Sequence, residues 1–165
     1  MSGDTRVFDL SVPASSYHDK QGNLKFDWVK VGGVMERAKD GKLYALINKD
    51  INFAGFYVPE GKDCVLIKMF PVHGRKIEIL NPENEKDTRV FNMKVRARSY
   101  QDDDGERINV WRKVGFIMRR GSDSHLYMLI HRFIDFGGYN TEDNKDSVFT
   151  HIFPVNGTEF QVIET

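Results

Sequence analysis

Three cations and a ring alternate along one short segment, Lys94-x-Arg96-x-Arg98-x-Tyr100, and a second ring-and-cation pair follows at Trp111-x-Lys113. In an extended chain every second side chain points the same way, so this spacing forms a basic ladder ending in an aromatic ring. Rings stack on any unpaired base, while lysine and arginine neutralise phosphates; together these are the chemistry of single-stranded nucleic-acid binding. Each stacked base contributes on the order of 1–3 kcal/mol. Like charges along one strand repel one another, and an anionic partner would relieve that repulsion.

The same chemistry is written twice. Sliding the chain against itself by about 83 positions realigns it without a gap, with roughly 40% of the pairs identical, the mark of a duplicated structural unit. Asp4-Thr5-Arg6-Val7-Phe8 falls on Asp87-Thr88-Arg89-Val90-Phe91, and Trp28-x-Lys30-Val31-Gly32 on Trp111-x-Lys113-Val114-Gly115. Tyr17 pairs with Tyr100 and Tyr44 with Tyr127, but the ladder has no counterpart, because Ser11, Pro13 and Ser15 stand where the second copy has Lys94, Arg96 and Arg98. If nucleic acid binds, the copies bind unequally. Each residue also has a structural reading. Tryptophan and tyrosine on a strand can fill a second core or an interface between repeats, and lysine on a solvated strand can protect an edge.

Little else could do chemistry. The acidic run Asp102-Asp103-Asp104-Gly105-Glu106 lacks the spacing and terminal ligand of a calcium loop and reads as a hairpin turn. His125, His131 and His151 align with Lys42, Asn48 and Lys68, polar surface positions rather than metal ligands. No phosphate loop, nucleophile elbow or zinc-finger spacing occurs, so the chain reads as a non-enzyme without metal or cofactor. The lone Cys64 aligns with Ser147, which excludes a repeated disulfide and favours a reducing, cytoplasmic setting, the host cytoplasm if the protein is viral. With 24 basic and 24 acidic residues the formal net charge is zero, so bulk electrostatic wrapping of duplex DNA is excluded and any nucleic-acid site must be local. No segment reads as a membrane span or a signal peptide.

The elements that must position these residues are strands. Phe8, Leu10, Val12 and Ala14 alternate with polar positions, as do Phe91, Met93, Val95 and Ala97, which is the period of a half-buried strand. This puts Ser11, Pro13, Ser15 and Tyr17 outward, with Lys94, Arg96, Arg98 and Tyr100 in the second copy. On the next strand Val31 and Met35, with Val114 and Met118, read as core, leaving Trp28, Lys30, Trp111 and Lys113 outside. Leu43, Ala45 and Ile47 then point inward and Tyr44 outward, matched by Tyr127. Glycine at Gly22 and Gly105 suits the first hairpin turn, and Asp40-Gly41 the second. After an excursion at 49–62 come strands from Cys64 to Phe70 and from Arg75 to Leu80. The division is 1–82, a linker at 83–86, and 87–165. Five strands with an excursion after the third predict an all-β chain made of tandem five-stranded OB-like barrels. An SH3-like barrel or one joint sandwich is the alternative.

The string Tyr17-x-Asp19-x-x-Gly22, then Trp28-x-Lys30-Val31-Gly32 and the Asp40-Gly41 turn, resembles small proteins of bacteriophages and mobile elements taken to be single-stranded DNA-binding proteins of OB-like type. The resemblance covers about half of each repeat and implies non-catalytic DNA binding. The chain departs from replicative single-strand binders in ending on a strand rather than on an acidic, partner-recruiting tail.

Two functions are expected. The first is binding of single-stranded nucleic acid with little sequence preference: Tyr17, Trp28, Tyr44, Tyr100, Trp111 and Tyr127 stack bases while Lys30, Lys94, Arg96, Arg98 and Lys113 follow the phosphates. The second is a structural or protein-interaction module, a viral assembly or inhibitory protein, whose duplicated β surface meets a protein partner or a further copy of itself.

Overall fold

In the computed structural model the chain is all-β. It describes residues 3–56, 58, 61–72, 74–82, 85–136, 139 and 146–164, without the side chains of residues 14, 15, 98 and 99. The first repeat supplies β1 (Thr5–His18), β2 (Leu24–Glu36), β3 (Leu43–Asn48), β4 (Cys64–Pro71) and β5 (Arg75–Ile79), with a 3-10 turn at Phe53–Gly55 in the excursion. The second supplies β6 (Thr88–Gln101), β7 (Arg107–Arg119), β8 (Leu126–His131), β9 (Ser147–Pro154) and β10 (Phe160–Glu164). Five strands per repeat, in the expected order, follow from the period-two pattern. Among the described residues no helix is long and apolar enough to cross a membrane.

Where the structure differs from the expected tandem barrels is in closure. Neither repeat closes on itself. β3 pairs with β9 and β4 with β8, so eight strands run β1-β2-β3-β9-β6-β7-β8-β4 and return to β1 as one ring. Tyr44 lies opposite His151 and Tyr127 opposite Lys68, equivalent pairs related by a pseudo-two-fold axis. The two fifth strands pair only with each other. The joint body is favoured because a ring leaves no edge in its wall, and each three-stranded meander offers the edge that the other's fourth strand needs.

The core is continuous through both halves, with Leu10, Ala45, Ile47, Ile67, Met93, Met128 and Ile130 fully buried. One end of the ring is filled by Phe53 and Phe136, whose rings meet edge-on at 5.5 Å across the pseudo-axis. At the other end β5 and β10 bring Ile77 and Phe160 against the core, Phe160 contacting Phe91 at 5.1 Å. Truncating a buried ring such as Phe53 to alanine costs roughly 3–5 kcal/mol.

Bulges revise two inward assignments. β2 skips Val31 between Lys30↔Ser11 and Gly32↔Leu10, so parity changes there. Val31 and Val114 are core as expected, but Val34 and Ile117, not Met35 and Met118, are the next buried hydrophobic side chains. Gly32 is required at this bulge: an added Cβ would stand 2.0 Å from the Leu46 carbonyl oxygen, and at Gly115 2.2 Å from that of Leu129. A second shift lies at residues 14 and 97; Ala97 is exposed rather than core, and the Ala14 side chain lies outside the described ones.

Candidate nucleic-acid interface

β1 pairs with β4 only over Phe8–Ser11, and β2 with β3 only over Gly32–Glu36. Beyond these limits the β1–β2 hairpin pairs only with itself and runs past the ring at the end where the excursions lie; β6–β7 repeats this. The roots of these hairpins carry the tryptophans. Trp28 and Trp111 face outward and are 43% and 40% exposed.

Around Trp111 the rings form a row. Trp111 meets His151 edge-on at 4.7 Å and Phe153 at 5.8 Å, His151 stacks on Phe153 at 12° and contacts Phe149, and Phe149 stacks on Tyr44 with centroids 4.6 Å apart. Phe149, His151 and Phe153 alternate on the outer side of β9, which lies beside β6 and its Lys94. The Lys94 ammonium is 5.8 Å from the Phe153 ring, and Arg96 is paired in register with Trp111. His151 is shifted below the usual histidine value by burial and then by the positive Arg37 and Arg96, which favours its neutral form among the rings. Rings with open faces beside cations can stack bases and hold phosphates.

The other expected site residues divide. Lys113 joins the cationic side of this face, opposite Lys94. Lys30 is outward but paired, its ammonium 3.3 Å from Asp9. Tyr44 faces outward yet is only 7% exposed, and its hydroxyl donates to Asp4 at 2.5 Å; Tyr127 donates to Asp87 at 2.7 Å. Each carboxylate also accepts a backbone N–H, from Ala38 or Gly121, so the tyrosines brace the start of β1 and β6 against the next hairpin. The tyrosine hydrogen bond first, then the backbone one, holds both carboxyls below their usual range, while burial and the carboxylate push both phenols up to about 12. Tyr17 and Tyr100 are exposed but do not share the tryptophan face. The bulge at residues 14 and 97 places Tyr17 opposite Lys25 and Tyr100 opposite Ile108, on the other side of the hairpin from Trp28 and Trp111. The same shift ends the ladder at Arg96, since Arg98 pairs with Val110; its side chain lies outside the described ones.

Phe149, Phe153 and His151 were missed from sequence. Their alternation with Val148, Thr150 and Ile152 was legible, but not that β9 would lie beside Tyr44 of the other repeat. Elsewhere, Cys64 Sγ lies 3.4 Å from His131 Nδ1, and burial followed by Asp63 raises the thiol, which keeps it protonated. No group of three metal-ligating side chains occurs among the described residues. A cleft of about 430 Å3 between Lys49–Ala54 and Arg132–Asp135 has charges of both signs. Compared with protein-family models, curated proteins and solved structures, the chain matches none.

Proposed function

We propose that the chain binds single-stranded nucleic acid, DNA foremost, through the outer face of its second half, without catalysis and with little sequence preference. The observation that carries this reading is the row Tyr44, Phe149, His151, Phe153 and Trp111 flanked by Lys94, Arg96 and Lys113. Bases stack on Trp111, Phe153 and Phe149, Tyr44 supports the row from beneath, and the cations neutralise the backbone. The site is local, which suits a chain of zero net charge and a cytoplasmic single-strand binder of phage type. In the test, a Trp28→Phe protein, whose remaining tryptophan is Trp111, is titrated with a fluorescence-silent oligonucleotide at low and high salt. Salt-sensitive quenching is expected, with log K falling by about 0.7 per phosphate contact for each decade of salt. Absence of quenching and of binding at low salt removes the proposal.

A second reading is favoured by a different observation. The face around Trp28 exposes Leu24, Phe26, Leu66 and Phe70, an apolar surface suited to a contact with a second copy of the chain. Sedimentation equilibrium over a range of concentrations tests it: a dimer lost in Phe26→Ser with Phe70→Ser supports it, and a monomer throughout rejects it.

A further inference from the structure

The two halves differ sharply in charge at one equivalent place. On the outer side of β1, Asp9 Oδ1 accepts from Arg6 Nη1 at 2.8 Å and lies 3.3 Å from Lys30 Nζ, so one carboxylate serves two cations. The corresponding residues of the second half are Arg89, Asn92 and Lys113, and Ser11 has become Lys94. An acid has left and Lys94 has arrived on β6, while Lys68, opposite Ser11 on β4, corresponds to His151 on β9. Asn92 sits on β6 between Phe116 and Phe153, its partners in register on β7 and β9. The Arg89 guanidinium lies 4.0 Å over the Phe116 ring and the Lys113 ammonium 5.6 Å from the same ring. The buried Asn92 Oδ1 has no hydrogen-bond partner among the described residues, and none of the acids described pairs with Arg89, Lys94 or Lys113. The cations are close enough to oppose one another: burial, then Arg89 and Lys94, lower the affinity of Lys113 for its own proton.

We propose that Arg89, Asn92, Lys94 and Lys113 form a phosphate subsite, in which a phosphate group takes the place that the Asp9 carboxylate holds in the first half. Guanidinium and ammonium donate charge-assisted hydrogen bonds to its oxygens, and the neutral Asn92, unlike an aspartate, does not compete for them. Through Lys94 the subsite adjoins the Phe153 ring, so a phosphodiester entering it continues into the row of rings. That source of the phosphate rests on the nucleic-acid reading; the subsite itself does not.

The test is a reciprocal exchange. Asn92→Asp restores an arrangement that the first half already folds with, and Asp9→Asn removes it there. Wild type, both variants and Trp111→Ala are titrated with inorganic phosphate, followed by NMR of the Lys113 and Arg89 side chains, and with a single-stranded oligonucleotide at low salt. Saturable phosphate shifts at Lys113 and Arg89 are expected in wild type, lost in Asn92→Asp, together with an oligonucleotide affinity about tenfold lower. Asp9→Asn is expected to keep both and to add phosphate shifts at Lys30. Absence of saturable phosphate shifts in wild type overturns the subsite. So does an Asn92→Asp protein that keeps them, and if its oligonucleotide affinity is also unchanged while Trp111→Ala loses binding, the stacking face stands without the subsite. Phosphate shifts abolished by Asn92→Asp, in a protein that binds no oligonucleotide, support the subsite with a small phosphate ester as its ligand and remove the nucleic-acid reading.

Discussion

Around Trp28 the outer surface is mostly apolar: Phe26 and Phe70 lie 6.0 and 5.2 Å from its ring, Leu24 and Leu66 are exposed, Arg6 and Lys30 share Asp9, and Lys68 stands between Leu66 and Phe70 on β4. Around Trp111 the equivalents of Leu24 and Phe26 are Arg107 and Asn109, that of Leu66 is Phe149, and that of Lys68 is His151. Asp9 has become Asn92. The two faces hang on equivalent strands, bulges and tyrosine braces, yet one is mostly apolar with its cations partly paired and the other is a basic row of rings. Duplication preserved what packing demands and left outward positions free to diverge, because a side chain pointing to solvent meets few neighbours that would penalise its replacement.

The comparison breaks most visibly if the preserved parts are not preserved for the reason given. Gly32→Ala and Gly115→Ala each drive a methyl into a neighbouring strand's carbonyl, and each should cost on the order of 3 kcal/mol, the two halves alike. Urea denaturation of both variants checks this, and a benign result in either half would show that the bulge is not a shared constraint.

Next in size is the contrast between faces. Trp111→Ala with Phe153→Ala should weaken oligonucleotide binding by roughly 100-fold or more, at about 1–3 kcal/mol per lost stacking ring. The matching pair Trp28→Ala with Phe70→Ala should change it less than about twofold by the same reasoning. Equal losses, read by fluorescence anisotropy, would mean that the halves bind alike.

A smaller effect sharpens the electrostatic half of the contrast. Lys94→Ala with Arg96→Ala should flatten the salt dependence by a slope of about 0.7 per lost phosphate contact. Lys30→Ala should change the slope less, since that lysine is already paired with Asp9.

The smallest effect concerns a feature both halves share. The phenols of Tyr44 and Tyr127 are raised from 10.0 to about 12, so their bonds to Asp4 and Asp87 act fully below pH 10.0 and are lost as pH rises through about 12. The two carboxyls are depressed, so the same bonds act above 3.8 and fade as pH falls below it. Tyrosinate absorbance should show two late-ionising phenols, one of which disappears in Tyr44→Phe and the other in Tyr127→Phe.

Much of this was legible in the chain. The alternation of Phe8, Leu10 and Val12 predicted the inward face, and Leu43–Asn48 and the turns at Gly22, Gly41 and Gly105 fall where the residue types required them; these three glycines take positive φ. Trp28 and Trp111 were read as outward and are. Tyr17 and Tyr100 were placed on the wrong side because a bulge has no signature in alternation alone: one extra residue reverses parity for everything after it. The expectation that Lys30 follows the phosphates could not take in its partner Asp9, which lies on another strand.

Sequence alone therefore determined the all-β class, the duplication and, away from the bulges, most of the residues that bury, since these depend on local periodicity and on side-chain hydrophobicity. Only the tertiary structure decided that the repeats share one ring, that β9 of one repeat lies against β3 of the other, and that Tyr44, Phe149 and Trp111 meet on one surface. Strand pairing is non-local. Backbone hydrogen bonding is nearly indifferent to which edge it joins, so the choice between two rings and one rests on how the assembled core fills, and no single stretch of sequence carries that information.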